Sequence, residues 1–177
     1  MSILLIVGGG EVCTALVGIA GALDWDAQVV DSLPAAEAAL AALGPDDAAV
    51  VLSHHDGLDG PALAAALKSS AGYLGAMGSR RTQQRRREWL LAHGVDEAAQ
   101  SAIRGPAGLD IGADAPAEIA VSIVAEIVAV RRDAAAVGSI SDRDGPIHPD
   151  LAPGEAVCPG GCSPGRQQVA LGSADSV

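Results

Sequence analysis

Ile3-Leu4-Leu5-Ile6-Val7-Gly8-Gly9-Gly10-Glu11-Val12-Cys13 opens the chain with an unbroken apolar run that stops at consecutive glycines. Aliphatic residues without polar alternation suit a strand buried on both faces of a parallel sheet. Glu11 to Leu23 continues with Val12, Leu16, Ile19 and Leu23 at helical spacing, and Ala27 to Val30 returns to a strand ending at Asp31. The unit is βαβ, and a glycine turn between strand and helix is the context in which a phosphate-binding fingerprint carries weight.

The alternation continues outward from that unit. Pro34 to Leu43 reads as a short helix, with Pro near its start and Gly44-Pro45 beyond its end. Ala48 to Leu52 is a third strand, and Ser53 to Gly57 a polar turn. Pro61 opens a helix that closes near Ser69, and Tyr73 to Met77 makes a fourth strand. Gly78-Ser79 begins an arginine-rich helix reaching His93. Asp96 to Ala102 forms a short helix, and Ile103-Arg104 is the stub of a fifth strand. The glycine-rich loop Gly105 to Ala115 then leads into a last helix, Pro116 to Arg132. There Ile119, Ile123, Ile127 and Val130 repeat on one face, and Glu118, Ser122 and Glu126 share a neighbouring stripe. Such alternation predicts an α/β fold of the doubly wound, Rossmann-like type, with a mostly parallel sheet and helices on both faces. Residues 1–133 are expected to form this domain, and 134–177, rich in Gly, Pro, Ser and Asp, a flexible irregular tail.

Composition narrows the class further. A chain of 177 residues suits one domain, and with 2% aromatics and no Phe its core must be built from Ala, Val, Leu and Ile. Three cysteines without framework spacing favour a reducing, cytoplasmic compartment. No signal peptide is read in the apolar start, and the most apolar helix, Ile119 to Val130, is shorter than a membrane span and contains Glu126. A formal charge of −11 disfavours nucleic-acid binding. Five of the eleven basic residues, Arg80, Arg81, Arg85, Arg86 and Arg87, lie in one segment; Arg85 to Arg87 read as a solvated face.

In a parallel sheet the loops after the first, third and fourth strands open on one rim. Gly8, Gly9 and Gly10 allow the turn and the approach of a phosphate to the N–H groups of Glu11 and Val12 at the helix start. Asp31, about 20 residues on, is placed to accept from a ribose hydroxyl. Ser53-His54 and Gly78-Ser79-Arg80 bring a hydroxyl, an imidazole and a guanidinium to the same edge. Three features carry blander alternatives: Glu11 as a solvent-facing helix charge, His54 as a turn histidine and Ser79 as an N-cap. Cys13 reads as a small buried hydrophobe or as a thiol of lowered pKa at a helix start. Cys158, Cys162 and His148 offer three zinc ligands where a structural site needs four, so no metal site is assigned. Gly-x-Ser-x-Gly, Walker and His-Glu-x-x-His patterns are absent.

Several segments resemble the C-terminal Rossmann domain of the xanthine dehydrogenase accessory proteins, XdhC/CoxI. They are Gly8 to Val12 with Asp31; Ser53-His54 with Asp59; Tyr73-Leu74-Gly75-Ala76-Met77-Gly78-Ser79-Arg80; and Gly105-Pro106-Ala107-Gly108-Leu109-Asp110-Ile111-Gly112, followed by Pro116 to Ile123 and Ala125-Glu126-Ile127. The likeness runs from Ile3 to Arg132. It implies a protein that binds the molybdenum cofactor (molybdopterin) and assists its protection, sulfuration and insertion into the apoenzyme of a molybdenum hydroxylase, such as xanthine or carbon monoxide dehydrogenase. Glu11 stands where the family turn commonly has His, and Ser53 where it has Thr. The family's N-terminal domain has no counterpart before the first strand, which implies a separate XdhC/CoxI N-terminal-domain protein alongside a sulfurtransferase. A homodimer is expected, and a cofactor chaperone more than a catalyst. Two other classes stay open: an NAD-binding oxidoreductase, on the glycine turn and Asp31, and a non-catalytic dimerisation module. No catalytic residue is assigned.

Overall fold

The computed structural model describes residues 2–134 and Val137. The elements are β1 (Ile3–Val7), α1 (Glu11–Ala22), β2 (Asp26–Val30), α2 (Leu33–Ala41), β3 (Ala48–Val51), α3 (Asp56–Ala66), β4 (Tyr73–Ala76), α4 (Arg80–Ala92), α5 (Glu97–Gln100), β5 (Ile103–Arg104) and α6 (Pro116–Arg131). The five strands form one parallel sheet in the order β2-β1-β3-β4-β5. The doubly wound α/β class follows directly. The expected tail, with Cys158, Cys162 and His148, lies outside the described residues except for Ala134 and Val137.

Side-chain alternation assigns the two faces. Leu4, Ile6, Ala48, Val50 and Tyr73 pack against Leu16 and Ala20 of α1 and Ile123 and Ile127 of α6. Leu5, Val7, Ala49, Val51 and Ala76 pack against Ala36 and Leu40 of α2, Ala62 and Leu63 of α3, and Leu90 of α4. The central strands are buried on both faces, which is why they read as continuous apolar runs. Strand β2, at an edge, leaves Val29 exposed.

Connectivity decides where a ligand can enter. From β1 the chain passes to β2 on one side, then crosses over the α2 face to β3 on the other, so the winding reverses between β1 and β3. Crevices at such reversals, outside the carboxyl ends of the strands, are the usual ligand sites of open α/β sheets. Val7 pairs with both Val30 and Val51, and Val51 with Ala76. The strands therefore end level, and Gly8, Asp31, Leu52 and Met77 leave the sheet along a single edge.

Helix α3 departs from expectation. It begins at Asp56, with Pro61 inside it, where the punctuation predicts a helix opening at Pro61. Leu58 and Asp59 already donate their N–H groups to His55 O at 2.9 Å. The extra turn is held by tertiary contacts, since Asp59 meets Arg86 and Gly60 lies under the Trp89 ring. Gly57, at the i−4 position, presents no side chain beside the proline ring.

Candidate functional site

The turn from β1 into α1 is shaped by backbone demands that only glycine meets easily. Gly8 has φ 110° and Gly10 φ 103°. Gly8 N donates to Val30 O at 2.8 Å, and a Cβ placed on Gly8 would lie 2.8 Å from Ser53 N. The turn is thus pressed against both neighbouring strand ends. Gly9 and Gly10, in contrast, have open space where a side chain would stand. Gly10 caps α1 without a side-chain acceptor, and the first backbone bond closes from Thr14 N to Gly10 O at 3.1 Å. The N–H groups of Glu11, Val12 and Cys13 therefore have no partner within the helix and suit an anion. Glu11 is exposed. Cys13 is buried, and burial pushes its thiol pKa up, so it is the small hydrophobe and not an activated thiol.

Beneath the next part of the rim lies a buried guanidinium. Arg86 is 4% exposed; its Nε donates to the Asp59 carboxylate at 2.8 and 2.9 Å, its Nη1 to Met77 O at 2.6 Å and its Nη2 to Ser53 O at 3.1 Å. One side chain on α4 thereby ties the end of β3, the start of α3 and the end of β4 together. This corrects the reading of Arg85 to Arg87 as a solvated face: Arg85 and Arg87 are exposed, but Arg86 faces inward because Asp59 and two loop carbonyls satisfy it there. Ser53 is buried and its Oγ accepts from His55 N at 3.1 Å, while His54 is exposed. Gly78 turns the chain at φ 135°, and Ser79 caps α4 by accepting from Thr82 N at 3.2 Å.

The glycine-rich loop completes the edge. With Arg80 and residues of α6 it encloses a cavity of about 380 Å³, lined by Pro106, Gly108, Leu109, Ile111, Ile119 and Ser122 among others. Glu126 anchors the loop. Its Oε2 accepts from the Tyr73 hydroxyl at 2.7 Å and from Gly108 N at 2.8 Å, and Arg104 Nη1 stands 3.6 Å from Oε1. Burial, followed by the bond to Glu126, pushes the Tyr73 pKa up and keeps the phenol a donor. Glu126→Leu is expected to strand both donors at about 1–3 kcal/mol each, read as a lower urea midpoint. Glu126→Gln, which keeps an acceptor oxygen, should lose clearly less.

A family model described as the XdhC Rossmann domain matches residues 4–127. The chain belongs to the XdhC family. It is 33% identical over 128 residues to the molybdenum cofactor insertion chaperone PaoD of Escherichia coli K12, covering 72% of this chain and 40% of PaoD. It is 39% identical over 93 residues to a probable xanthine dehydrogenase component of Bacillus subtilis, covering 52% of this chain and 26% of that one. Among solved structures, a xanthine dehydrogenase of Bacillus halodurans superposes with TM-score 0.59 at 25% identity, over 78% of this chain and 45% of that one. The chain spans less than half the length of each of these relatives.

In this XdhC domain the four predicted segments do share one edge, but as two halves. Gly8, Gly9, Gly10, Glu11 and Val12 lie between Asp31, exposed at the end of β2, and Ser53-His54 at the end of β3. Gly78, Ser79 and Arg80 instead border the cavity beside the 105–113 loop. Arg86 joins the halves from below. Neither Arg86 as the tie nor Glu126 as the loop anchor is among the site residues that the sequence predicts. Glu126 does carry a signal, a carboxylate in the α6 stripe with Ser122, but its partner Tyr73 lies 53 residues away. Among the described residues no helix is long and apolar enough to cross a membrane.

Proposed function

We propose that this XdhC domain binds the molybdenum cofactor at its strand-end rim and assists the cofactor's maturation or insertion into a molybdenum hydroxylase of the xanthine or carbon monoxide dehydrogenase type. The observation that carries the reading is the glycine turn wedged against Ser53 at the winding reversal, with unpartnered helix N–H groups above it, in a family whose relative PaoD is named as an insertion chaperone. The residues fit the cofactor's anionic part. Backbone donors of Glu11 and Val12 face open space at Gly9 and Gly10, where a phosphate can approach.

In this reading the N–H groups hold one phosphate and Arg80 supplies a charge-assisted contact from the other half of the rim. Asp31 accepts from a ribose hydroxyl when the cofactor carries a nucleotide. Gly78 and Ser79 set the direction of Arg80, and Ser53 and His54 form the floor and lip between the halves. The molybdenum is cargo, and the chain acts as a chaperone in a cytoplasmic setting. The recipient apoenzyme, a separate N-terminal-domain protein, a sulfurtransferase and a second copy of the chain are the proposed partners.

Titration with molybdenum cofactor tests the proposal. Wild type is expected to bind, alone or with an N-terminal-domain partner, and Arg80→Ala and Asp31→Ala each to weaken binding by about 1.5–3 kcal/mol, roughly ten- to a hundredfold. No binding by wild type in either setting ends this reading, and a strong response to NADH in its place favours the oxidoreductase reading.

A further inference from the structure

Helix α4 carries five of the eleven basic residues of a chain whose formal charge is −11. Arg86 is turned inward onto Asp59, which leaves Arg80, Arg81, Arg85 and Arg87 exposed along about two turns of helix. Among the described residues, none of these four guanidiniums has a carboxylate within 4.0 Å.

Their placement opposes the helix that bears them. Arg80 and Arg81 occupy the first turn, which holds no acidic residue, although a helix N-terminus favours negative charge. Arg81 and Arg85 are an i,i+4 pair of like charge, which destabilises a helix by about 0.2–0.5 kcal/mol. Local rules broken together, without compensation inside the domain, mark a surface shaped for something outside it.

We propose that the exposed arginine face of α4 is a docking surface for an acidic patch on a protein partner. Charge complementarity selects the partner's chemistry. Removing the five arginines from the formal charge of −11 leaves −16 on the rest of the chain. With screening over about 8 Å, a compact acidic patch meets the arginines alone. A nucleic acid would extend past them onto repelling surface. A two-fold contact between copies would set arginines against arginines. Arg80 belongs to this face and also to the rim cavity beside the 105–113 loop, so a docked partner sits next to the ligand edge. The inference rests on the proposed function only in taking that partner to be the recipient of the cofactor.

The experiment uses the full chain and a fluorescently labelled Glu-rich peptide, with association followed by stopped-flow anisotropy over a range of salt. Wild type is expected to bind saturably, with an association rate that falls as salt rises. Arg81→Glu/Arg85→Glu/Arg87→Glu, which leaves Arg80 and Arg86 in place, should slow association about tenfold or more. The corresponding triple Lys variant should retain most of the rate. If the Glu variant fails to fold by circular dichroism, the triple Gln variant replaces it and should show a smaller loss. Cofactor titration of the same variants should match wild type, which separates failure of docking from failure of the rim. Absence of saturable peptide binding, a rate unchanged by charge reversal, or equal affinity for duplex DNA or phosphatidylserine vesicles overturns the proposal.

Discussion

Asp59→Ala is expected to destabilise the domain by about 3–5 kcal/mol, a large part of the roughly 5–15 kcal/mol that holds a typical domain together. The cost comes from Arg86. Its guanidinium is 4% exposed, and without Asp59 its Nε keeps no partner while water cannot replace the carboxylate. Met77 O and Ser53 O still accept from the two terminal nitrogens, but neutral carbonyls do not balance a buried charge. Urea unfolding reads the effect as a fall in midpoint at unchanged slope. Removing both charges, as Asp59→Leu with Arg86→Met, is expected to recover much of the loss, because no unpaired ion then remains. Cofactor binding should not recover with it, since the tie between the ends of β3 and β4 is gone. A cost below about 1 kcal/mol for Asp59→Ala, the range of exposed pairs, would show that Arg86 reaches water.

Gly8→Ala is expected to damage both fold and rim. The residue stands at φ 110°, where a side chain is strained by about 1–3 kcal/mol. The added methyl also meets Ser53 N at 2.8 Å and Ser53 Cα at 3.2 Å, backbone atoms that cannot swing aside. Overpacking of this kind adds about 1–3 kcal/mol. Relief requires β1 and β3 to part at the winding reversal, and the donors of α1 move with β1. Gly9→Ala is the informative comparison. Nothing lies within 4 Å of a Cβ there, so stability should change by no more than about 0.5 kcal/mol. Binding should nonetheless weaken, because the methyl occupies the space through which a phosphate reaches the N–H groups. Equal affinity of Gly9→Ala and wild type for the cofactor would move the anion away from this turn.

The elements that sequence places well are those with one dominant local signal. Strands β1, β3 and β4 are apolar runs bounded by turn residues, and α1, α4 and α6 have clear starts, such as Ser79 capping α4 and Pro116 opening α6. Helix α3 starts earlier than its sequence predicts because Pro61 is a strong local signal for a helix start. The contacts that extend the helix back to Asp56 come from α4, through Arg86 and Trp89. Arg86 escapes a sequence reading for the same reason: in a run of three arginines no local feature says which one is buried. Glu126 pairs with a strand residue on the far side of several loops, and no spacing rule connects them.

Taken alone, then, the sequence determined that strands and helices alternate, that the sheet is parallel and that the glycine turn, Asp31, Ser53-His54 and Gly78-Ser79-Arg80 all open on one edge. Each of these follows from patterns within a few residues and from the direction a parallel strand must run. Only the tertiary structure decided the order β2-β1-β3-β4-β5, which puts Gly8 against Ser53 and divides the edge into two halves. It also decided which arginine lies beneath that edge and which carboxylate pins the 105–113 loop. Both depend on burial, and a buried ion or a buried hydroxyl is tolerated only where a distant part of the chain brings its partner.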